Sequence, residues 1–190
     1  MAKTQVTVGL VCAALACASA ETDDGSGVAR FGFGREPSAA EIAALDIDVM
    51  PDGTGLPAGS GTVRRGMALY QAQCASCHGA TGREGPYDRL VGRVPNDEFP
   101  FGSDRTVRST IGNYWPYATT LYDYVLRTMP FGNPGTLQAD EVYSLVAALL
   151  YMNDLIAEDA LMNAETLPAV VMPARDRFVR DDRKGGAEVR

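Results

Sequence analysis

Cys74-Ala75-Ser76-Cys77-His78 is the stretch of this 190-residue chain whose residue types and spacing could do chemistry unaided. Two thiols two residues apart can add across the two vinyl groups at one edge of a haem. The imidazole that follows then lies under the iron, and C-x-x-C-H is the attachment sequence for c-type haem for that reason. A dithiol redox pair and half of a zinc site are the competing readings. The first belongs at a strand-to-helix junction in an α/β pattern absent here, and the second needs two more soft ligands. His78 is the only histidine, and the remaining cysteines, Cys12 and Cys17, fall in the leader discussed below. The expectation is one covalent haem c, held by Cys74 and Cys77 with His78 on the iron.

With no second histidine, the sixth position falls to methionine, lysine, water or nothing, and methionine is the usual choice for electron transfer. Met129 follows a helical stripe (Ala118, Leu121, Tyr122, Val125, Leu126). It opens Met129-Pro130-Phe131-Gly132-Asn133-Pro134-Gly135, a loop that cannot be helical. Met172, in Met172-Pro173, is the rival, reaching the iron only if the tail folds back. Position favours Met129. A structure of the chain without haem is expected to leave an apolar cavity between Cys74 and Met129. Trp115, in Tyr114-Trp115-Pro116-Tyr117, has an indole N–H that can bind a haem propionate or any carbonyl.

These groups need elements to position them. Val63, Gly66, Met67, Tyr70 and Cys74 make one helical stripe that leads into the motif, with Thr62 as N-cap. Val142, Leu145, Val146, Leu149 and Leu150 make another, with Asp140 and Glu141 at its start, where acidic groups are favoured. Gly66 would let the two helices approach closely. A further short stripe spans 39–45, and 51–57 reads as a loop. The fold class is all-α. The boundaries read as a signal peptide (1–20), an N-terminal extension (21–59), a haem domain (60–155) and a C-terminal extension (156–190).

Composition and charge narrow the function. Hydrophobic residues at 46% and charged residues at 22% describe a globular chain. A net charge of −7 argues against binding a phosphate backbone, so no nucleic-acid partner is expected. Lys3, the apolar run 6–18 and Ala18-Ser19-Ala20 form a secretory leader too short to span a bilayer comfortably. Its cleavage removes Cys12, Cys17 and Lys3, which takes −7 to −8. The expected location is the periplasm, with no membrane span left in the mature chain.

Gly79 to Gly85, ending at Gly85-Pro86 and followed by Leu90, resembles the loop of class I cytochromes c. That resemblance implies N- and C-terminal helices crossing around the haem, and a Pro86 carbonyl that accepts a hydrogen bond from the His78 imidazole. More specifically, the chain resembles the cytochrome c subunit of the sulfur dehydrogenase of bacterial thiosulfate-oxidising (Sox) systems. The resemblance runs from Phe31 to Phe178. It is carried by Phe31-Gly32-Phe33-Gly34-Arg35, Asp46-Ile47-Asp48-Val49, Pro51-Asp52-Gly53-Thr54-Gly55-Leu56-Pro57, the run Ile111-Gly112-Asn113-Tyr114-Trp115-Pro116-Tyr117-Ala118-Thr119-Thr120, and Met172-Pro173-Ala174-Arg175-Asp176. It implies one-electron transfer from a molybdenum-cofactor dehydrogenase subunit to a downstream cytochrome c or oxidase, in sulfur oxidation. An electron-transfer subunit has no catalytic residue of its own. The alternative is a haem enzyme acting on a sulfur substrate at an open or displaceable distal site. Arg83, Arg89, Arg93, Arg105 and Arg108 follow the motif and form a basic docking face, a solvated face or a propionate site.

Overall fold

A computed structural model of the chain describes residues 32–94, 98–101, 103–104 and 106–179. Two units are distinct, Met1–Ser38 and Ala39–Arg190. The described part of the first, residues 32–38, holds no helix or strand. In the second the order is α1 (Ala39–Leu45), β1 (Ser60–Thr62), α2 (Val63–Gln73), α3 (Ala75–His78), α4 (Ala118–Thr128), α5 (Ala139–Met152) and β2 (Leu161–Asn163). Single 3-10 turns follow at Leu167–Ala169 and Arg175–Arg177. Residues 1–20, read from the sequence as a signal peptide, lie outside the described part. No helix among the described residues is long and apolar enough to cross a membrane.

Local chemistry sets the helix ends. Thr62 accepts a hydrogen bond from the Arg65 N–H at the start of α2. At α5 the Gln138 side chain and the Glu141 carboxylate satisfy each other's backbone N–H in a capping box. Asp140 takes the Ser60 N–H, tying the start of α5 to the strand before α2.

α5 is the centre of the molecule. The sequence marks one apolar stripe on it, yet every residue from Val142 to Leu150 is buried. A helix apolar all round must be covered all round. α2 and α4 cover two sides, while β1 and β2 cover a third. The described chain is mostly helical, as the all-α reading expects, with one short two-stranded ribbon added. β1 and β2 pair antiparallel, Gly61 opposite Met162, and lie on α5. The ribbon exists because the chain after α5 returns to the strand that leads into α2, closing α5 in.

The α2–α5 contact depends on glycine. A Cβ at Gly66 would fall on the Ser144 carbonyl and within 2.8 Å of the Ala148 methyl. The expected close approach is therefore real, and no larger residue fits without parting the helices. Three tyrosines fill the centre, each with its hydroxyl committed. Tyr70 donates to the Gly79 carbonyl at 2.8 Å, Tyr143 to Pro57 at 2.9 Å and Tyr122 to Ala139 at 3.5 Å. Each satisfied hydroxyl lets a large ring stay buried without a desolvation penalty.

α4 carries a second set of ties. Asp123 is buried, accepts the Val49 N–H at 2.9 Å and pairs with Arg127 one turn on. Thr119, one turn earlier, donates to the Pro51 carbonyl at 3.0 Å. Residues 49–51 are thus bound to the helix that ends at Met129. Met172 lies in the hydrophobic core at 1% exposure.

Candidate haem-binding site

Cys74 caps the end of α2, its N–H bonded to the Tyr70 carbonyl at 2.9 Å. The chain turns there and forms the single turn α3. The Cys74 carbonyl accepts from both Cys77 (3.1 Å) and His78 (2.9 Å). Cys74, Cys77 and His78 are thereby gathered on one turn at the end of the helix that packs on α5. Both cysteines are free, half-buried thiols. Burial, then the neighbouring Cys77, pushes the Cys74 thiol up to about 11. A thiol that stays protonated at neutral pH is a poor redox nucleophile. Among the described residues no group of three or more His, Cys, Asp or Glu could hold a metal ion.

The imidazole of His78 is fixed by one bond. Its Nδ1 stands 2.8 Å from the Asp88 carbonyl. A carbonyl only accepts, so Nδ1 carries the proton and Nε2 keeps its lone pair for a metal. The expected partner was the Pro86 carbonyl, and here the structure corrects the sequence. Tyr87 N–H turns back onto the Cys77 carbonyl at 3.2 Å, and this return brings the carbonyl two residues beyond Pro86 to the ring. Pro86 itself is exposed. The loop before it is held by Glu84, whose carboxylate takes the Thr81 and Arg83 N–H groups and the Thr81 hydroxyl. Those bonds, the Thr81 hydroxyl first, hold its carboxyl down at about 2.

Met129 caps the end of α4, with its N–H on the Val125 carbonyl at 3.1 Å, and leaves the helix in extended backbone. It is half-buried and packs against the core, and residues 131–136 beyond it are exposed. Met172 has a different environment, sealed in the core. Trp115 does not leave its indole free, because Nε1 donates to the Thr120 hydroxyl at 3.0 Å, a partner in the first turn of α4. The ring meets Tyr124 edge-on at 5.5 Å.

A cavity of about 370 Å³ is lined by Met67, Ala80, Thr81, Arg83, Val91 and Met152. It is not the apolar slot expected between Cys74 and Met129. Neither residue lines it; both pack against the core. Of the five arginines after the motif, Arg105 lies outside the described residues. Arg83, Arg89, Arg93 and Arg108 are exposed, Arg89 donating to the Arg83 carbonyl and Arg93 to that of Asp154.

The donor set fits a covalent haem. It offers two free, half-buried thiols and, on the same turn, an imidazole whose Nδ1 is taken by the Asp88 carbonyl. Sequence reasoning missed Asp88, Tyr70 and Asn153, which act on or through backbone atoms. Only Tyr70 left a signal, as a member of the α2 stripe.

The family described as cytochrome c oxidase, cbb3-type, subunit III matches residues 61–147. Among solved structures, the crystal structure of the sulfane dehydrogenase SoxCD from Paracoccus pantotrophus contains a similar chain. It has 42% sequence identity and a TM-score of 0.69, covering 81% of this chain and 74% of that one. No curated protein matches significantly.

Proposed function

The chain belongs to the c-type cytochromes, in the group resembling the cytochrome c subunit of Sox sulfur dehydrogenase, and from that membership we propose an exported mono-haem carrier. It accepts one electron at a time from a molybdenum-containing sulfur-compound dehydrogenase and passes it to a downstream cytochrome. The observation that carries this reading is the tautomer of His78, set by the Asp88 carbonyl beside two half-buried thiols.

In this reading Cys74 and Cys77 hold the haem covalently and His78 offers Nε2 to its iron. Met129, at the point where α4 ends, is the sixth ligand. The haem would supply a one-electron iron couple. The protein's part is to set the ligands, keep water from the iron and hold the imidazole proton on Nδ1. One cysteine pair in the mature chain means one haem. The boundaries that go with it are a leader at 1–20, removed on export to the periplasm, and a haem domain at 60–155 flanked by two extensions.

The test is direct. The exported protein should keep haem colour on a denaturing gel, and Cys77→Ala should abolish most of it. Ferric protein should show the near-infrared sulfur-to-iron band, and Met129→Ala should remove it. Normal amounts of low-spin haem protein from Cys77→Ala would overturn the attachment. Rapid reduction by a purified molybdenum sulfur dehydrogenase is expected in stopped-flow mixing; no reduction would overturn the pathway and leave the cytochrome.

A further inference from the structure

The Asp88 carbonyl that fixes His78 belongs to an exposed loop, and something must hold that loop still. Backbone bonds close it on both sides. Tyr87 N–H returns to Cys77, while the Leu90 and Val91 N–H groups both reach the Gly82 carbonyl, at 2.9 and 3.0 Å. These bonds tie the loop to itself and not to the core. Two links reach the core: the N–H of buried Ile111, which donates to the Leu90 carbonyl at 3.1 Å, and the side chain of Asn153, 1% exposed, at the end of α5. Its Oδ1 accepts the Gly92 N–H at 3.0 Å. Its Nδ2 donates to the Leu90 carbonyl at 3.3 Å and to the Leu149 carbonyl of α5 at 2.8 Å. Only an amide supplies an acceptor and two donors in this arrangement. The Thr110 hydroxyl adds a bond to the Gly92 carbonyl at 2.6 Å.

We propose that Asn153 is a positioning residue for the axial ligand: it clamps residues 90–92 to α5 and so holds the Asp88 carbonyl against Nδ1 of His78. This rests on the reading of His78 as haem ligand. The Nδ1–H bond makes the imidazole a stronger donor, which favours ferric iron. Loosening the clamp lengthens that bond, weakens the donor and favours ferrous iron. The residue touches neither haem nor substrate and acts only through the loop.

The experiment uses the exported holoprotein with Asn153→Leu, which keeps much of the volume but loses all three bonds without adding a charge, and Asn153→Ala, which loses the bonds and the volume together. Two readouts are taken: the ferric/ferrous ratio at fixed ambient potential, and exchange of the His78 Nδ1 proton with solvent in the ferrous state. Both variants should shift the ratio toward ferrous by threefold to tenfold, tenfold being about 59 mV for a one-electron couple. Proton exchange should speed up at least tenfold. Thr119→Val removes a bond of similar kind, from α4 to Pro51, and should lower stability while leaving both readouts at the wild-type value. Should neither position-153 variant accumulate, Thr110→Val carries the comparison, with the same direction and a smaller size. Folded variants with unchanged ratio and exchange would overturn the proposal, as would an equal shift in Thr119→Val. A wild type without covalent, histidine-ligated haem would instead sink the cytochrome reading, and this inference with it.

Discussion

Tyr70→Phe removes one oxygen from the centre of the molecule, and its cost can be worked out beforehand. The ring is fully buried and its hydroxyl donates to the carbonyl of Gly79, the residue after His78. Phenylalanine fills the same space, so no cavity term arises. The loss is one buried hydrogen bond, with the Gly79 carbonyl left short of a partner. That carbonyl also accepts the Gly82 N–H at 3.2 Å, so it is not orphaned, and the cost belongs near the middle of the range for such bonds. About 1–1.5 kcal/mol is expected, close to a tenfold change in the folding equilibrium. Alkaline pH gives a second signature. Burial, with lesser contributions from Cys74 and Glu84, raises the Tyr70 phenol to about 12 from 10.0. A raised folded value means the stabilisation is fully present below pH 10. As pH rises from 10 to 12 the unfolded chain ionises while the folded chain does not, and the stabilisation is lost. Tyr122 and Tyr143 are raised too, but they are common to both proteins and cancel in the difference. Urea denaturation of both holoproteins at pH 8 and through pH 10–12 should show the gap at pH 8 and its closure above pH 10. A gap below about 0.3 kcal/mol at pH 8, well under the range for a buried bond, or one that ignores pH, would refute the account.

Gly66→Ala should destabilise by about 2 kcal/mol. Overpacking against the Ser144 carbonyl costs about 3 kcal/mol, and the better helix propensity of alanine returns about 1, as thermal melting can check. Met172→Ala and Met129→Ala should fail differently. The first should lose about 2–5 kcal/mol of stability as a core truncation, with the visible and near-infrared spectra unchanged. The second should lose the sulfur-to-iron band at smaller cost in stability, and the reverse pattern would move the ligand to the tail. Reduction by the dehydrogenase should slow as ionic strength rises, because the chain is strongly acidic and Arg83, Arg89 and Arg108, which follow the motif in the sequence, are exposed. Fast transfer without salt dependence would keep the function and discard the electrostatic docking.

What the sequence made readable was local. The C-x-x-C-H spacing, the Thr62 cap, the stripe of α4 and the absence of a side chain at Gly66 each act within a few residues, or through one residue's own shape. What it hid acts at long range or through backbone atoms. β1 and β2 are three residues each and pair across a hundred positions, too short to show an alternating pattern. The Val49–Asp123 bond spans 74 positions, and the Asn153 bonds to Gly92 and Leu90 span 61 and 63. The Pro86 misassignment is the clearest instance. A carbonyl that orients an imidazole leaves no mark on the side chain that carries it, so a proline is noticed and the aspartate two places on is not. The return of Tyr87 onto Cys77 decides which carbonyl arrives, and the length of the loop sets that return. Trp115 shows the same dependence on neighbours, its indole N–H donating to the Thr120 hydroxyl, a partner the sequence did not single out. In this chain the candidate haem-binding residues are marked in the sequence by their chemistry. The residues that aim them sit at helix ends and in loops, and are found only by following the hydrogen bonds outward from His78.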